Sequence, residues 1–239
     1  MTHKFSKSTH TCHDTLPALI NVTISIGHKN IGPVNINWNK GHTCIIGPNG
    51  AGKSTLLRYL NVEIPNNLGA YYGETYRSFL SQQNIIHWAL RVQDVLNISH
   101  KTSHEHMHKI IDQMQIRPWL SMRTDHLSDG QRLKVRLART FISDAHWYLL
   151  DEPTASLDPP EETRIFRYLH QHAQSKPIVT ITHALHCAIN HSDNIIGIDA
   201  QGCVTSCAPD HPNLAHWLSE LYQQPVCVFS QQNQRYISW

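Results

Sequence analysis

Apolar and polar residues alternate from Leu19 to Ile26, the period of a half-buried strand. Val34–Trp38 and Thr43–Ile46 read as two further strands, and the second runs straight into a glycine-rich stretch. Ser54–Asn61 reads as the helix that follows it. Residues 92–120 lack strand signals: Val92–Ile98 and His104–Ile116 read as helices, and Pro118 closes that block. A helix over Arg132–Ile142 and a strand over His146–Leu150 come next. Pro159-Pro160 opens a helix to about His172, because proline is tolerated in a first helical turn. Ile178–Thr182 and Ile195–Asp199 are short β-branched strands. From about Asn213 the tail predicts a helix and two short strands, Val226–Phe229 and Arg235–Ser238. Strand and helix alternating around a glycine loop predict an α/β fold, a mostly parallel sheet flanked by helices. The helical block between residues 84 and 130 reads as an inserted subdomain.

Composition narrows the function more than the fold. At 239 residues the chain can bury a full core, as one large domain or a domain with a subdomain. Its 20 Lys and Arg against 18 Asp and Glu make no basic stripe of the kind that binds nucleic acid. No apolar stretch approaches the roughly 20 residues that cross a bilayer, and Met1 to Asp14 lacks the apolar core of a signal peptide. The expectation is a soluble, cytoplasmic protein whose membrane role, if any, comes through a partner. Six cysteines without a CxxC pair read as reduced thiols.

The chemistry is concentrated in two places. Gly47-Pro48-Asn49-Gly50-Ala51-Gly52-Lys53-Ser54-Thr55 follows a strand and opens a helix, the setting a phosphate-binding loop requires. Its glycines let backbone N–H groups wrap the phosphates, and the helix N-terminus adds partial positive charge. Lys53 is placed to reach the β- and γ-phosphates and Ser54 to ligate Mg²⁺. Farther on, Trp147-Tyr148-Leu149-Leu150 ends in Asp151-Glu152, with Asp151 placed to hold Mg²⁺ and Glu152 to act as general base on water. The plainer alternative is a pair of strand-end carboxylates capping the turn at Pro153. Among the 19 histidines, His100, His104 and His108 share one helical face and could bind Zn²⁺, but Thr102-Ser103 reads as a helix start that breaks the stripe.

Between these two elements lies Leu127-Ser128-Asp129-Gly130-Gln131, and with it the chain resembles the ATP-binding cassette (ABC) ATPases. In that family this peptide begins a helix and contacts the γ-phosphate of ATP held by the opposite subunit, which implicates Ser128, Gly130 and Gln131. Asp129 stands where glycine is commoner; a carboxylate facing a triphosphate is unfavourable, so it is expected to point outward, near the helix N-terminus, where negative charge is favoured. Ser81-Gln82-Gln83 matches the Q-loop, with Gln82 touching Mg²⁺ and the water. Ser156-Leu157-Asp158 matches the D-loop at the dimer interface, and Thr182-His183 the switch histidine that bonds the γ-phosphate. His28 aligns with the aromatic residue that stacks on adenine, its alternative being an ordinary turn histidine. Lys53 and Gln82 are closer than in most importer ATPases, implying a trimmed antiparallel β-subdomain around Asn66–Phe79.

The resemblance covers roughly residues 19–239, with 1–18 a flexible lead-in, 84–130 the helical subdomain and 208–239 a C-terminal tail. The Leu80-Ser81-Gln82-Gln83 stretch and the tail through Pro225-Val226 are similar to iron-chelate (siderophore or haem) and cobalamin importer ATPases. Such a chain is implied to hydrolyse ATP with Mg²⁺ at the cytoplasmic face of the inner membrane. Its partners would be a second copy of itself, transmembrane permease subunits and, indirectly, a substrate-binding protein. A zinc or manganese importer ATPase, and a soluble ABC ATPase outside transport, are the alternatives.

Overall fold

The protein is described from a computed structural model, in which residues 19–26, 29–36, 38, 41–61, 77–81, 90–98, 103–232 and 234–239 are placed. Among the described residues, six strands form the central sheet in the order β4-β5-β6-β3-β7-β8: β3 (His42–Ile46), β4 (Arg77–Leu80), β5 (Trp147–Asp151), β6 (Ile178–Ile181), β7 (Asn194–Ile198) and β8 (Val204–Cys207). All neighbours are parallel except β7 and β8. Strands covered on both faces need apolar residues at every position rather than alternation, and β3, β5 and β6 are buried throughout.

One face carries β1 (Leu19–Ile26), β2 (Lys29–Ile36) and α1 (Lys53–Leu60), which enclose an apolar cluster against Ile45, Leu149, Val179 and Ile196. The helical block, α2 (Val92–Asn97) and α3 (His104–Gln113), packs on α4 (Asp129–Ile142) and α5 (Pro159–Ala173) around Phe141, Ile165 and Leu169. A third cluster joins Cys44 and Ile46 to α6 (Leu185–His191) and α7 (Leu214–Tyr222). The tail ends in an antiparallel pair, β9 (Cys227–Gln231) and β10 (Gln234–Ser238).

Among the described residues, several elements differ from the sequence reading. The second strand begins at Lys29, not Val34, because β1–β2 is an isolated pair whose outer edge tolerates Pro33. Arg77–Leu80 pairs in parallel with β5 at the edge of the main sheet, so Phe79 belongs to it rather than to an antiparallel subdomain. Residues 66–76 lie outside the described residues. Helix α4 starts at Asp129, three residues earlier than Arg132, because Ser128 and Gln131 form a reciprocal cap.

Candidate functional site

The register of the parallel strands brings the site together. Ile45, Ile181 and Asp151 lie side by side across β3, β6 and β5. Whatever follows those strands therefore emerges at one edge, where ligands of open α/β sheets bind. Gly47, Glu152 and His183 are the residues that do so. Backbone bonds carry the alignment past the strand ends, from Glu152 N–H to the Ile181 carbonyl at 3.1 Å and from Thr182 N–H to that of Ile45 at 3.2 Å.

The loop from Gly47 to Gly52 turns on left-handed glycines, with φ of 145° at Gly47, 74° at Gly50 and 114° at Gly52. A Cβ on Gly52 would sit 2.4 Å from Ile31 Cδ1, so a side chain there would have to displace Ile31 as well as adopt an unfavourable backbone conformation. No side chain caps the start of α1, which leaves its N-terminal dipole directed at whatever the loop encloses. Asn49 and Gly50 are exposed at the loop tip, Ala51 is buried, and Thr55 is half-buried in the first turn of α1. Lys53 folds back so that Nζ donates to the carbonyls of Gly47 (2.8 Å) and Pro48 (3.0 Å). Burial lowers its pKa from the ordinary lysine value, and the nearby Glu152 and Asp151 carboxylates counter part of that.

Ser54 Oγ donates to Asp151 Oδ1 at 3.3 Å, across nearly a hundred residues of chain. Burial raises the Asp151 pKa, and the Ser54 hydrogen bond opposes it. Beside this pair, His183 Nε2 lies 3.2 Å from Glu152 Oε1. Glu152 holds this place with φ of 50°, a costly conformation for a residue with a Cβ, and such strain gathers at functional sites.

The LSDGQ peptide sits at the start of α4. Ser128 Oγ accepts the Gln131 N–H at 3.2 Å, while Gln131 Oε1 accepts the Ser128 N–H at 2.9 Å. The Ser128 hydroxyl is used only as an acceptor in this cap, so its proton remains available to a further oxygen. Asp129 points outward as expected, 78% exposed, and pairs with Arg132 at 2.5 Å. Gly130 packs against the Ser156 carbonyl, 3.0 Å from where a Cβ would be. Asp158 caps α5 by accepting the Glu161 N–H at 3.1 Å. His28 and Gln82 lie outside the described residues.

Residues 31–155, more than half the chain, match the profile of the family described as ABC transporter. The chain belongs to that family. It is an ABC ATPase, with hydrolysis coupled to transport, on the P-loop fold of that class. Curated relatives name different cargoes at similar likeness. A hemin import ATP-binding protein of Vibrio anguillarum is 26% identical over 230 residues, covering 84% of this chain and 88% of that one. A phosphonates import ATP-binding protein of Lactiplantibacillus plantarum is 26% identical over 216 residues, covering 77% and 84%. A nisin transport ATP-binding protein of Lactococcus lactis is 27% identical over 235 residues, which cover 83% of this chain but only 39% of that protein. Among solved structures, a metal-chelate type ABC transporter in an inward-facing conformation superposes with TM-score 0.77 at 20% identity, covering 92% of this chain and 94% of that one. A bacterial ABC transporter cassette solved as a dimer gives 0.65 at 22%, covering 81% and 99%.

Some of the site was hidden from the sequence. Arg132 was detectable as a partner for Asp129 by its i+3 spacing. The tyrosine on the tail that touches Gly47 was not. Of the histidine stripe, His104 and His108 lie on α3, which begins at His104 with Ser103 as its cap, accepting the His106 N–H at 3.2 Å, and His100 is outside the described residues. Among the described residues no group of three or more His, Cys, Asp or Glu could hold a metal, and no helix is long and apolar enough to cross a membrane.

Proposed function

We propose that the chain is the ATP-hydrolysing subunit of an importer for an iron-siderophore, haem or cobalamin type substrate. The observation that carries the hydrolytic part is the joining of two pairs at one sheet edge, Ser54 with Asp151 and Glu152 with His183. The subclass is supported by the similarity of the Leu80–Gln83 stretch and the tail to iron-chelate importer ATPases, and by the likeness to a hemin import protein over most of both chains.

The phosphates of ATP lie along the loop, met by its N–H groups, the α1 N-terminus and Lys53. Glu152 accepts a proton from water as the water oxygen attacks the γ-phosphorus and the bond to the β–γ bridging oxygen breaks. His183 holds Glu152 and the γ-phosphate in one arrangement. The Ser54 hydroxyl and the Asp151 carboxylate converge as two hard oxygens, a fit for Mg²⁺. Held by these residues, Mg²⁺ would supply charge neutralisation at the phosphate oxygens. On the family resemblance, Gln82 would contribute to holding Mg²⁺ and the water, and His28 would be the residue that meets adenine.

Ser128, Gly130, Gln131 and Asp158 serve the ATP of a second copy, so two ATPs close a dimer beneath transmembrane permease subunits. A substrate-binding protein delivers the cargo from the other side. Residues 19–239 form one nucleotide-binding unit, placed peripherally at the cytoplasmic face of the membrane. Pull-down of this chain from native membranes in mild detergent, followed by mass spectrometry, tests the assignment. A multi-helix permease of the cobalamin–siderophore type is expected. A permease of another class reassigns the cargo, and recovery without any membrane protein removes the transport role.

A further inference from the structure

The amide of the first loop glycine is held by a residue 175 positions further along the chain. Gly47 N–H donates to Tyr222 Oη at 3.1 Å. Gly47 is where the chain leaves β3. Ile46 still pairs with Gly197, while a Cβ on Gly47 would fall 2.1 Å from the Ile198 carbonyl oxygen. The turn is therefore fixed by steric limits on one side and by two hydrogen bonds, Tyr222 on the amide and Lys53 on the carbonyl. These two holds differ in kind. A lysine that turns toward a phosphate gives up part of its grip on the loop carbonyls, whereas the tyrosine hydroxyl can stay where it is.

Tyr222 is well placed for a fixed role. It is the last residue of α7, whose Leu218 and Leu221 are buried in the third apolar cluster. Its ring stands edge-on to Trp239 with centroids 5.1 Å apart. Burial pushes its hydroxyl up to about 12, with the Gly47 hydrogen bond partly opposing, so the acceptor for Gly47 is a neutral hydroxyl oxygen. The same tail reaches the other side of the site. Tyr236, Ile237 and Trp239, with Leu185 and His186, wall a cleft of about 400 Å³ beside His183. Tyr236 also stacks on His186 at 5.1 Å.

We propose that Tyr222 is a positioning residue of the nucleotide site, its hydroxyl fixing the first residue of the phosphate loop so that nucleotide affinity depends on the C-terminal segment. The inference rests on the reading of residues 47–55 as an ATP site. Replacing Tyr222 by Phe keeps the ring and removes only the acceptor. One lost hydrogen bond to a loop amide weakens binding roughly three- to tenfold.

The test is titration calorimetry of the full chain with MgADP, beside steady-state ATP hydrolysis and thermal unfolding without nucleotide. For Tyr222→Phe the Kd for MgADP and the KM for ATP rise together by that factor, while kcat stays within about twofold, as for loss of uniform binding. Trp239→Ala, which frees the ring but keeps the hydroxyl, shifts the same two constants by a smaller factor. An unchanged Kd in Tyr222→Phe overturns the proposal. So does a parallel fall in kcat, affinity and unfolding temperature, which marks lost structure rather than lost positioning. Failure of the unaltered chain to bind MgADP overturns the ATP-site reading itself, and is distinguishable because it needs no variant.

Discussion

Glu152 is the proposed general base, and it sits in a conformation, φ of 50°, that is costly for a residue with a Cβ. In that conformation its carboxylate lies 3.2 Å from His183 Nε2. Glu152→Gln keeps the size and the hydrogen bond but removes the base, so turnover should fall at least about a hundredfold. ATP affinity should survive, since the loop and Lys53 are untouched. Phosphate release at saturating ATP beside a nucleotide titration separates the two, and retained turnover would remove Glu152 from the base role. Asp129 is the opposite case. Its carboxylate looks out of place beside a triphosphate, yet it is 78% exposed and tied to Arg132. An exposed ion pair contributes little. Asp129→Asn should therefore leave KM for ATP within about twofold, and a larger change in either direction would mean that the carboxylate faces the nucleotide.

The elements that the sequence announced are those whose residues answer to local rules. Strands β3, β5, β6 and β7 are short apolar runs because both faces are covered, and the glycine loop is legible because only glycine turns that way. Helix α6 escaped notice because seven residues, Leu185–His191, carry too little periodicity to stand out. Contacts between elements are invisible to such rules. Glu161 on α5 accepts Lys134 of α4 at 3.0 Å and Arg164 of its own helix at 2.9 Å, while Arg164 reaches the Gln113 carbonyl at the end of α3. Lys134 is buried and also lies over the Trp119 ring at 5.2 Å. One carboxylate thus ties the helix that begins in the LSDGQ peptide to the helix that Asp158 caps. Glu161→Ala leaves the Lys134 ammonium buried without its anion, a cost of about 1–3 kcal/mol. Chemical denaturation at neutral pH should show that loss, and an unchanged midpoint would mean that the network contributes nothing net.

At the scale of the whole molecule, the nucleotide edge of the sheet has a counterpart at the opposite end of β3. His42 begins the strand that Gly47 leaves, and its ring is fully buried between the His191 carbonyl (2.7 Å from Nδ1) and Thr180 Oγ1 (2.9 Å from Nε2). Asp193 accepts its backbone N–H at 2.7 Å and faces His170 at 3.6 Å. Burial lowers the His42 pKa to about 4 against an ordinary 6.5, with the His191 carbonyl and Asp193 only partly offsetting it. Burial likewise lowers His191 and His172 to about 4 each. A histidine whose folded pKa is depressed binds its proton first in the unfolded chain. Stability is therefore complete above pH 6.5 and falls as pH drops from there to about 4. Asp151 acts in the opposite sense, since burial raises its pKa, but it is one group against three. Glu161 falls outside this window. Arg164 and then Lys134 hold its pKa at about 2, so its contribution is lost only below its unfolded value of 4.5. Between pH 7 and pH 5 His42 alone should cost about 2 kcal/mol of unfolding free energy. His42→Gln should start less stable at pH 7, having disturbed Thr180, yet lose about 2 kcal/mol less than the unaltered chain on going to pH 5. Urea unfolding of both proteins at the two pH values decides it. Equal losses would mean that water or a shifted helix solvates His42, and that the base of β3 is not the dry, neutral joint its contacts describe.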